Sequence, residues 1–247
     1  RSVRRQGHRS ILPDVTLFAH DRAVIHTAVS LARTLGENPN HTVAAAALDT
    51  VGRIHTAMNV FHFTGGPCAE LAVLGAAADA GPLLTIAAAG DSGRGVIAPC
   101  GRCRQVLLGL HPDVAVAMPT PDGPTLRPIR TLLPGAYLSP SDRPRRIVRF
   151  DGRYFDAVAS GEKTVTVRWD DPMVVGPAVL VFEDDYSIRT LDGVVQSVDR
   201  HGIGDVTAQQ LHIESDDDVQ EFVAGLRERY EAMPDDAHLD VVTFALG

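Results

Sequence analysis

All three cysteines of the chain fall in two short segments, Pro67-Cys68-Ala69-Glu70 and Pro99-Cys100-Gly101-Arg102-Cys103. A Cys-x-x-Cys pair joined by a distant third thiolate is metal-ligand spacing, and zinc is the usual occupant. A structural zinc site closes with four protein ligands, whereas a catalytic one keeps a position open for water. With no fourth cysteine, three readings stand. His55 or His62 completes a structural site, or Cys100 and Cys103 form a redox pair that leaves Cys68 unused, or the site is open and catalytic. Glu70 favours the third. From the first turn of a helix its carboxylate can reach the open position without binding the metal, take a proton from activated water and pass it on. Arg102 and Arg104 flank Cys103 and are candidates to offset the thiolate charge by bonding the sulfurs.

A second candidate is Lys163, the single lysine among 23 basic residues. Where arginine has taken every other basic position, a retained amine suggests chemistry that a guanidinium cannot do, since lysine can lose its proton and arginine does not. The alternative is one surface lysine that survives a compositional bias. Lys163 opens the run Lys163-Thr164-Val165-Thr166-Val167-Arg168, in which strand alternation puts Lys163, Val165 and Val167 on one face and Thr164, Thr166 and Arg168 on the other.

The elements that must position these groups divide the chain in two. Residues 1–140 carry 12 arginines against 9 acids, and residues 141–247 carry 11 basic residues against 22 acids, within a total of −8 over 247 residues. The change falls at Ser139-Pro140-Ser141-Asp142-Arg143-Pro144, which reads as a linker, so domains of 1–140 and 145–247 are expected. In the first, helices are expected at 22–35, 68–80 and 100–110, and strands at 42–50, 53–60, 83–89 and 114–118. That alternation predicts an α/β sandwich around one sheet. Cys68 and Cys100 would each open a helix, where the partial positive charge favours a thiolate. In the second half, short strands at 146–150, 164–168, 178–182, 191–198 and 241–245, with helices at 155–159 and 219–230, suggest a small barrel carrying helices.

Three cysteines are too few for a disulfide framework and point to a reducing, cytoplasmic compartment. No apolar run approaches the roughly 18–20 residues that cross a bilayer, so no membrane role is expected. The basic stretch Arg1–Ser10 leads into no long apolar run, which argues against a secretory signal.

The segments Asn59-Val60-Phe61-His62-Phe63-Thr64-Gly65-Gly66-Pro67-Cys68-Ala69-Glu70 and Pro99-Cys100-Gly101-Arg102-Cys103-Arg104-Gln105-Val106-Leu107-Leu108 resemble the zinc-dependent cytidine deaminase superfamily, and most closely the blasticidin S deaminases. So do Arg94-Gly95 and Leu132-Leu133-Pro134-Gly135-Ala136-Tyr137, and the likeness spans roughly residues 20–138. It implies an α-β-α sandwich with a mixed sheet, one Zn²⁺ per chain on Cys68, Cys100 and Cys103, and Glu70 as proton shuttle. It also implies hydrolytic release of ammonia from a cytosine nucleoside (cytidine, deoxycytidine or blasticidin S) and a homo-oligomer, tetramer or dimer. Thr42, Arg94 and Tyr137 match substrate-contacting positions, with Thr42 where a serine is usual, and Arg94 suits a substrate carboxylate. Asn59 matches the asparagine that holds the ribose with an acidic residue two positions on. Here that second position is Phe61, so ribose recognition is expected to differ.

Residues 145–247 resemble the ASCH domain family, a small barrel related to PUA modules, through the pattern Gly161-x-Lys163-x-x-x-x-Arg168. The nearest likeness is to small amidohydrolases that remove the acetyl group from acetylcytidine. It implies Lys163, Thr166 and an acidic partner, here Glu214, as catalytic residues, with Arg168 toward substrate. A module that grips RNA phosphates needs positive charge, and this half is strongly acidic, which favours a small-molecule hydrolase over RNA binding. The alternative is a deaminase whose ASCH domain only binds RNA or another ligand.

Overall fold

The computed structural model of the chain describes residues 17–213, 215–230 and 233–247. Glu214, the acidic residue expected to act with Lys163, lies outside them. In chain order the first elements are α1 (Ala19–Arg33), β1 (Val43–Asp49), β2 (Ile54–Met58), α2 (Ala69–Ala76), β3 (Leu83–Gly90) and β4 (Gly95–Ile97). Then come α3 (Gly101–Leu110), β5 (Ala115–Met118), β6 (Thr125–Pro128), β7 (Ile147–Asp151) and α4 (Phe155–Ala159). The last are β8 (Val165–Arg168), β9 (Gly176–Glu183), β10 (Ile188–Gly202), α5 (Ala208–Leu211), α6 (Asp216–Arg229) and β11 (His238–Leu246).

The chain forms two compact units. Of the described residues, the larger comprises 17–163, 176–194 and 245–247, and the smaller takes 164–175 and those within 195–244. In the larger unit the first sheet has the order β2-β1-β3-β5-β6, with β4 also paired to β3. It is mixed: β3 runs parallel to β5 and antiparallel to β1 and β4. Its central strands are alanine-rich, although alanine is a weak strand former. Burial explains the choice. In β1, Ala44, Ala46 and Leu48 pack with Val24, Ala28 and Ala32 of α1, while Ala45 and Ala47 pack with Ala69 and Val73 of α2 and Leu107 of α3. The period-2 alternation therefore sends one set to each face, and short side chains admit a helix on both. The result is the helix–sheet–helix sandwich expected for this half.

Helix α1 starts earlier than the sequence pattern suggested, at Ala19. Asp21 sits in its first turn, where Oδ2 accepts the N–H of Phe18 at 3.0 Å and Oδ1 accepts the Thr85 hydroxyl at 2.5 Å. A buried acceptor at that position satisfies an orphan helix donor and allows the extra turn. Helix α2 is shorter than expected and ends at Ala76.

The stretch after the expected linker is tied to this same unit. Arg145 donates to the carbonyls of Ala78 and Ala80 just past α2, and Arg146 forms a two-pronged pair with Asp113 at 2.8 and 3.0 Å. Ile147 and Val181 join the core beneath α1. The second sheet has the order β7-β9-β10-β11-β8. Its β7, β9 and first half of β10 belong to the larger unit; β8, the second half of β10 and β11 as far as Phe244 belong to the smaller. The smaller unit closes around Val165, Leu211, Leu226, Leu239 and Val241. Among the described residues no helix is long and apolar enough to cross a membrane.

Candidate metal centre and active site

Cys68 is the N-cap residue of α2, and Cys100 is the N-cap of α3 with Cys103 in its first turn. Two helix starts thus converge and bring the three cysteines together. Cys68 Sγ lies 3.8 Å from Cys100 Sγ, which lies 3.5 Å from Cys103 Sγ. A tetrahedral ion with bonds of about 2.3 Å to sulfur needs its thiolates a little under 4 Å apart, so the geometry fits a metal. The three sulfurs all lie within 4.8 Å of one another, and among the described residues no histidine or carboxylate joins them. That disposes of both histidine alternatives: His55 Nε2 is 2.9 Å from Asp49 Oδ2, and His62 Nδ1 is 2.6 Å from Thr64 Oγ1.

Electrostatics separates the three thiols. Burial opposes the Cys100 thiolate, but the N–H groups of Cys103 and Arg102 at the helix start and the two neighbouring thiols outweigh it, so this thiol sits below its ordinary value. Burial pushes the Cys68 thiol up. Cys103, fully buried, is pushed far up by burial and by the adjacent Glu70 charge. Glu70 is 6% exposed, and burial lifts its carboxyl above the usual range against a hydrogen bond from Cys103. A buried carboxyl beside the sulfurs, outside the ligand group, holds its proton more readily than an exposed one, as a group that passes protons must.

The arginines expected to bond the sulfurs act differently. Arg104 donates through Nε to the Pro99 carbonyl and through Nη1 to the Leu132 carbonyl, both at 2.9 Å, and Arg102 is exposed. Gln105, to which the motif assigned no role, donates to the Tyr137 carbonyl at 2.6 Å. Helix α3 therefore carries two cysteines and also fastens the 132–137 segment at both ends. The Tyr137 side chain is largely exposed.

Three of the expected substrate residues meet at one peptide. The Asn59 side-chain carbonyl accepts the N–H groups of Thr42 and Val43 at 2.7 and 2.8 Å, and the Thr42 carbonyl accepts Arg94 Nη2 at 2.6 Å. The Asn59 loop is folded back so closely that a Cβ on Gly66 would lie 1.8 Å from the Val60 carbonyl oxygen, so only glycine fits there. Phe61 and Phe63 on that loop are exposed.

The second-half residues are distributed otherwise. Lys163 precedes β8 rather than lying in it, with Nζ 5.0 Å from the Tyr154 ring centre in the larger unit. Thr166 and Arg168 lie on β8 in the smaller unit, opposite Val242 and Asp240 of β11. Arg168 is buried, with Nη1 3.5 Å from Asp171 Oδ2.

No family model matches the chain. A cytidine deaminase of Mycobacterium tuberculosis is 42% identical over 98 residues, which is 38% of this chain and 71% of that protein. The crystal structure of the M. tuberculosis cytidine deaminase is 34% identical, covering 47% of this chain and 95% of that one with a TM-score of 0.40. That of the Burkholderia pseudomallei cytidine deaminase is 32% identical, covering 47% and 98% with a TM-score of 0.40. By this identity over most of the length of its relative, the chain belongs to the cytidine deaminase family.

Proposed function

We propose that the chain is a zinc-dependent hydrolytic deaminase of cytosine nucleosides. The observation that carries this reading is the three-sulfur cluster on two helix starts with the buried Glu70 carboxyl beside it. Cys68, Cys100 and Cys103 would hold one zinc ion, which when bound supplies the Lewis acidity that makes water a nucleophile at neutral pH. Glu70 takes a proton from the attacking water and delivers it to the exocyclic nitrogen, which leaves as ammonia while the ring carbon gains oxygen. Its raised affinity for the proton matches that double task. Thr42, Asn59, Arg94 and Tyr137 bind the nucleoside. With Phe61 exposed beside Asn59 in place of an acid, the site favours a modified sugar carrying a carboxylate, as in blasticidin S, over a plain ribose. Purified protein should release ammonia from cytidine, deoxycytidine or blasticidin S, and Glu70→Gln should keep zinc while losing that release. Equal turnover by the variant would end the reading.

We further propose that residues 145–247 form an ASCH-type domain in which Lys163, Thr166 and Glu214, with Arg168, remove an acyl group from the same exocyclic amine, so that the domain at 1–140 receives a free amine. The retained lysine and the net negative charge of this half support hydrolysis rather than RNA binding. Acetylcytidine should then yield acetate followed by ammonia; salt-dependent retention of RNA without acetate release would favour the binding role instead. The exposed Phe61, Phe63, Tyr137 and Leu138 support assembly into a homodimer or homotetramer, which light scattering tests. With all three cysteines in one cluster and none left for a disulfide framework, we place the protein in a reducing, cytoplasmic compartment.

A further inference from the structure

Strands β3 and β4 are joined by Asp91-Ser92-Gly93-Arg94, a two-residue hairpin turn. Arg94 N donates to the Asp91 carbonyl at 3.0 Å, and Ser92 and Gly93 have φ of 50° and 75°. Positive φ at both central positions marks the tight turn whose twist matches antiparallel strands. It returns the Arg94 side chain across the end of β3. There the guanidinium lies directly over the Cα of Gly90: a Cβ on that residue would stand 2.5 Å from Arg94 Nε and 2.7 Å from Cζ. Gly90 has no left-handed φ to explain its identity. What it supplies is space.

Asp91 fixes the rest. Its Oδ1 accepts Arg94 Nη2 at 2.6 Å and Nε at 3.1 Å, and its carboxylate is 13% exposed where the arginine is 48% exposed. The second hydrogen of Nη2 goes to the Thr42 carbonyl, which also accepts the Asp91 N–H at 2.9 Å. Thus Nε and Nη2 are committed, and among the described residues Nη1 donates to nothing. Such a guanidinium is already oriented and offers one nitrogen to a ligand, at no further cost of ordering its side chain.

We infer that Gly90 and Asp91 are positioning residues that lock Arg94 so that Nη1 alone meets a carboxylate on the nucleoside. This rests on the reading of Arg94 as a substrate contact. Gly90→Ala keeps an allowed backbone and meets only the Arg94 side chain, hardest at its flexible end and less so at its Cβ, 3.0 Å away, so the fold should survive while the guanidinium is displaced. Asp91→Asn keeps the size of the side chain and removes its charge.

The two links can be tested separately. In ¹⁵N-labelled protein the Arg94 Nε–H resonance, identified by its loss in Arg94→Lys, should exchange slowly with solvent in the parent and rapidly in both Gly90→Ala and Asp91→Asn. An unprotected parent resonance, or one unchanged in the variants, overturns the positioning role whatever the substrate. In kinetics, both variants should raise KM for blasticidin S about tenfold relative to KM for cytidine, the loss of a charge-assisted hydrogen bond. In an Arg94→Ala background Gly90→Ala should have no further effect on that ratio, because its action runs through the guanidinium; a persisting effect would overturn the inference. If Arg94→Ala itself leaves the ratio unchanged, or blasticidin S is not turned over, the substrate reading of Arg94 fails and the specificity role falls with it, while the resonance still decides the lock.

Discussion

Cys68 and Cys100 begin two different helices with their sulfurs 3.8 Å apart, and the deep member of the cluster, Cys103, feels the charge of the buried Glu70. Metal binding must therefore displace protons from thiols that burial holds protonated, above all Cys103. Zinc retention should fall as pH drops below neutrality, since each thiolate must compete with a proton. Cys103→Ser should bind at least tenfold less zinc than the parent at pH 7.5 by colorimetric metal release, and retention that is flat from pH 8 to pH 5 would contradict this assignment.

His111 follows the last turn of α3, where its Nδ1 accepts the Leu83 N–H at 3.2 Å. Burial and the charge of Arg145 lower its pKa from 6.5 to about 4. The unfolded chain therefore binds a proton between those values that the folded chain refuses, so stability declines as pH falls from 6.5 toward 4. The full effect is about 3 kcal/mol. Urea denaturation at pH 7.5 and pH 5 should show the decline, and His111→Asn, which keeps an acceptor for Leu83, should flatten it.

Arg149 Nη1 meets Glu183 Oε2 at 2.6 Å, with Glu183 only 4% exposed. Burial raises the Glu183 carboxyl, but the Arg149 charge and the His20 contact outweigh it and hold it below the usual range. Arg149→Met takes away the guanidinium and leaves that buried carboxylate beside His20, with Nε2 3.3 Å from Oε1, and should cost about 3–5 kcal/mol, most of it recovered when Glu183→Leu is added. Chemical denaturation of the single and double variants measures both. A single variant as stable as the parent would mean that the pair contributes little.

Asp49, fully buried at the end of β1, accepts from Val51 N, Arg53 N, Arg53 Nε and His55 Nε2 at 2.9–3.0 Å. Burial works against its charge, yet these bonds win and its carboxyl lies below the ordinary 3.8. Its stabilisation is thus present above pH 3.8 and is lost as pH falls through the lower folded value. Asp49→Ala orphans the donors of the β1–β2 turn and should cost about 2–3 kcal/mol, seen as a drop in Tm.

The three-cysteine cluster and most first-half elements were legible because each is written locally, whereas the short strands β4 and β6 were not expected. Cys-x-x-Cys, Cys-x-Glu and helical or alternating apolar spacing are properties of short windows. Helix α1 began early because Asp21 finds Thr85, 64 residues away, and no window holds both. The charge of Arg104 was legible but not its direction, which depends on the Leu132 carbonyl arriving from another element. Gly90 looked like any strand-end glycine until the hairpin laid Arg94 across it.

By itself, then, the sequence determined which atoms could bind a metal and move a proton, because donor chemistry belongs to residue types and survives any packing. Only the tertiary structure decided which sulfurs meet, that no histidine joins them among the described residues, and that one arginine is locked over a missing side chain. Those are distances between segments remote in the chain, set by how two helix starts and a sheet edge pack together.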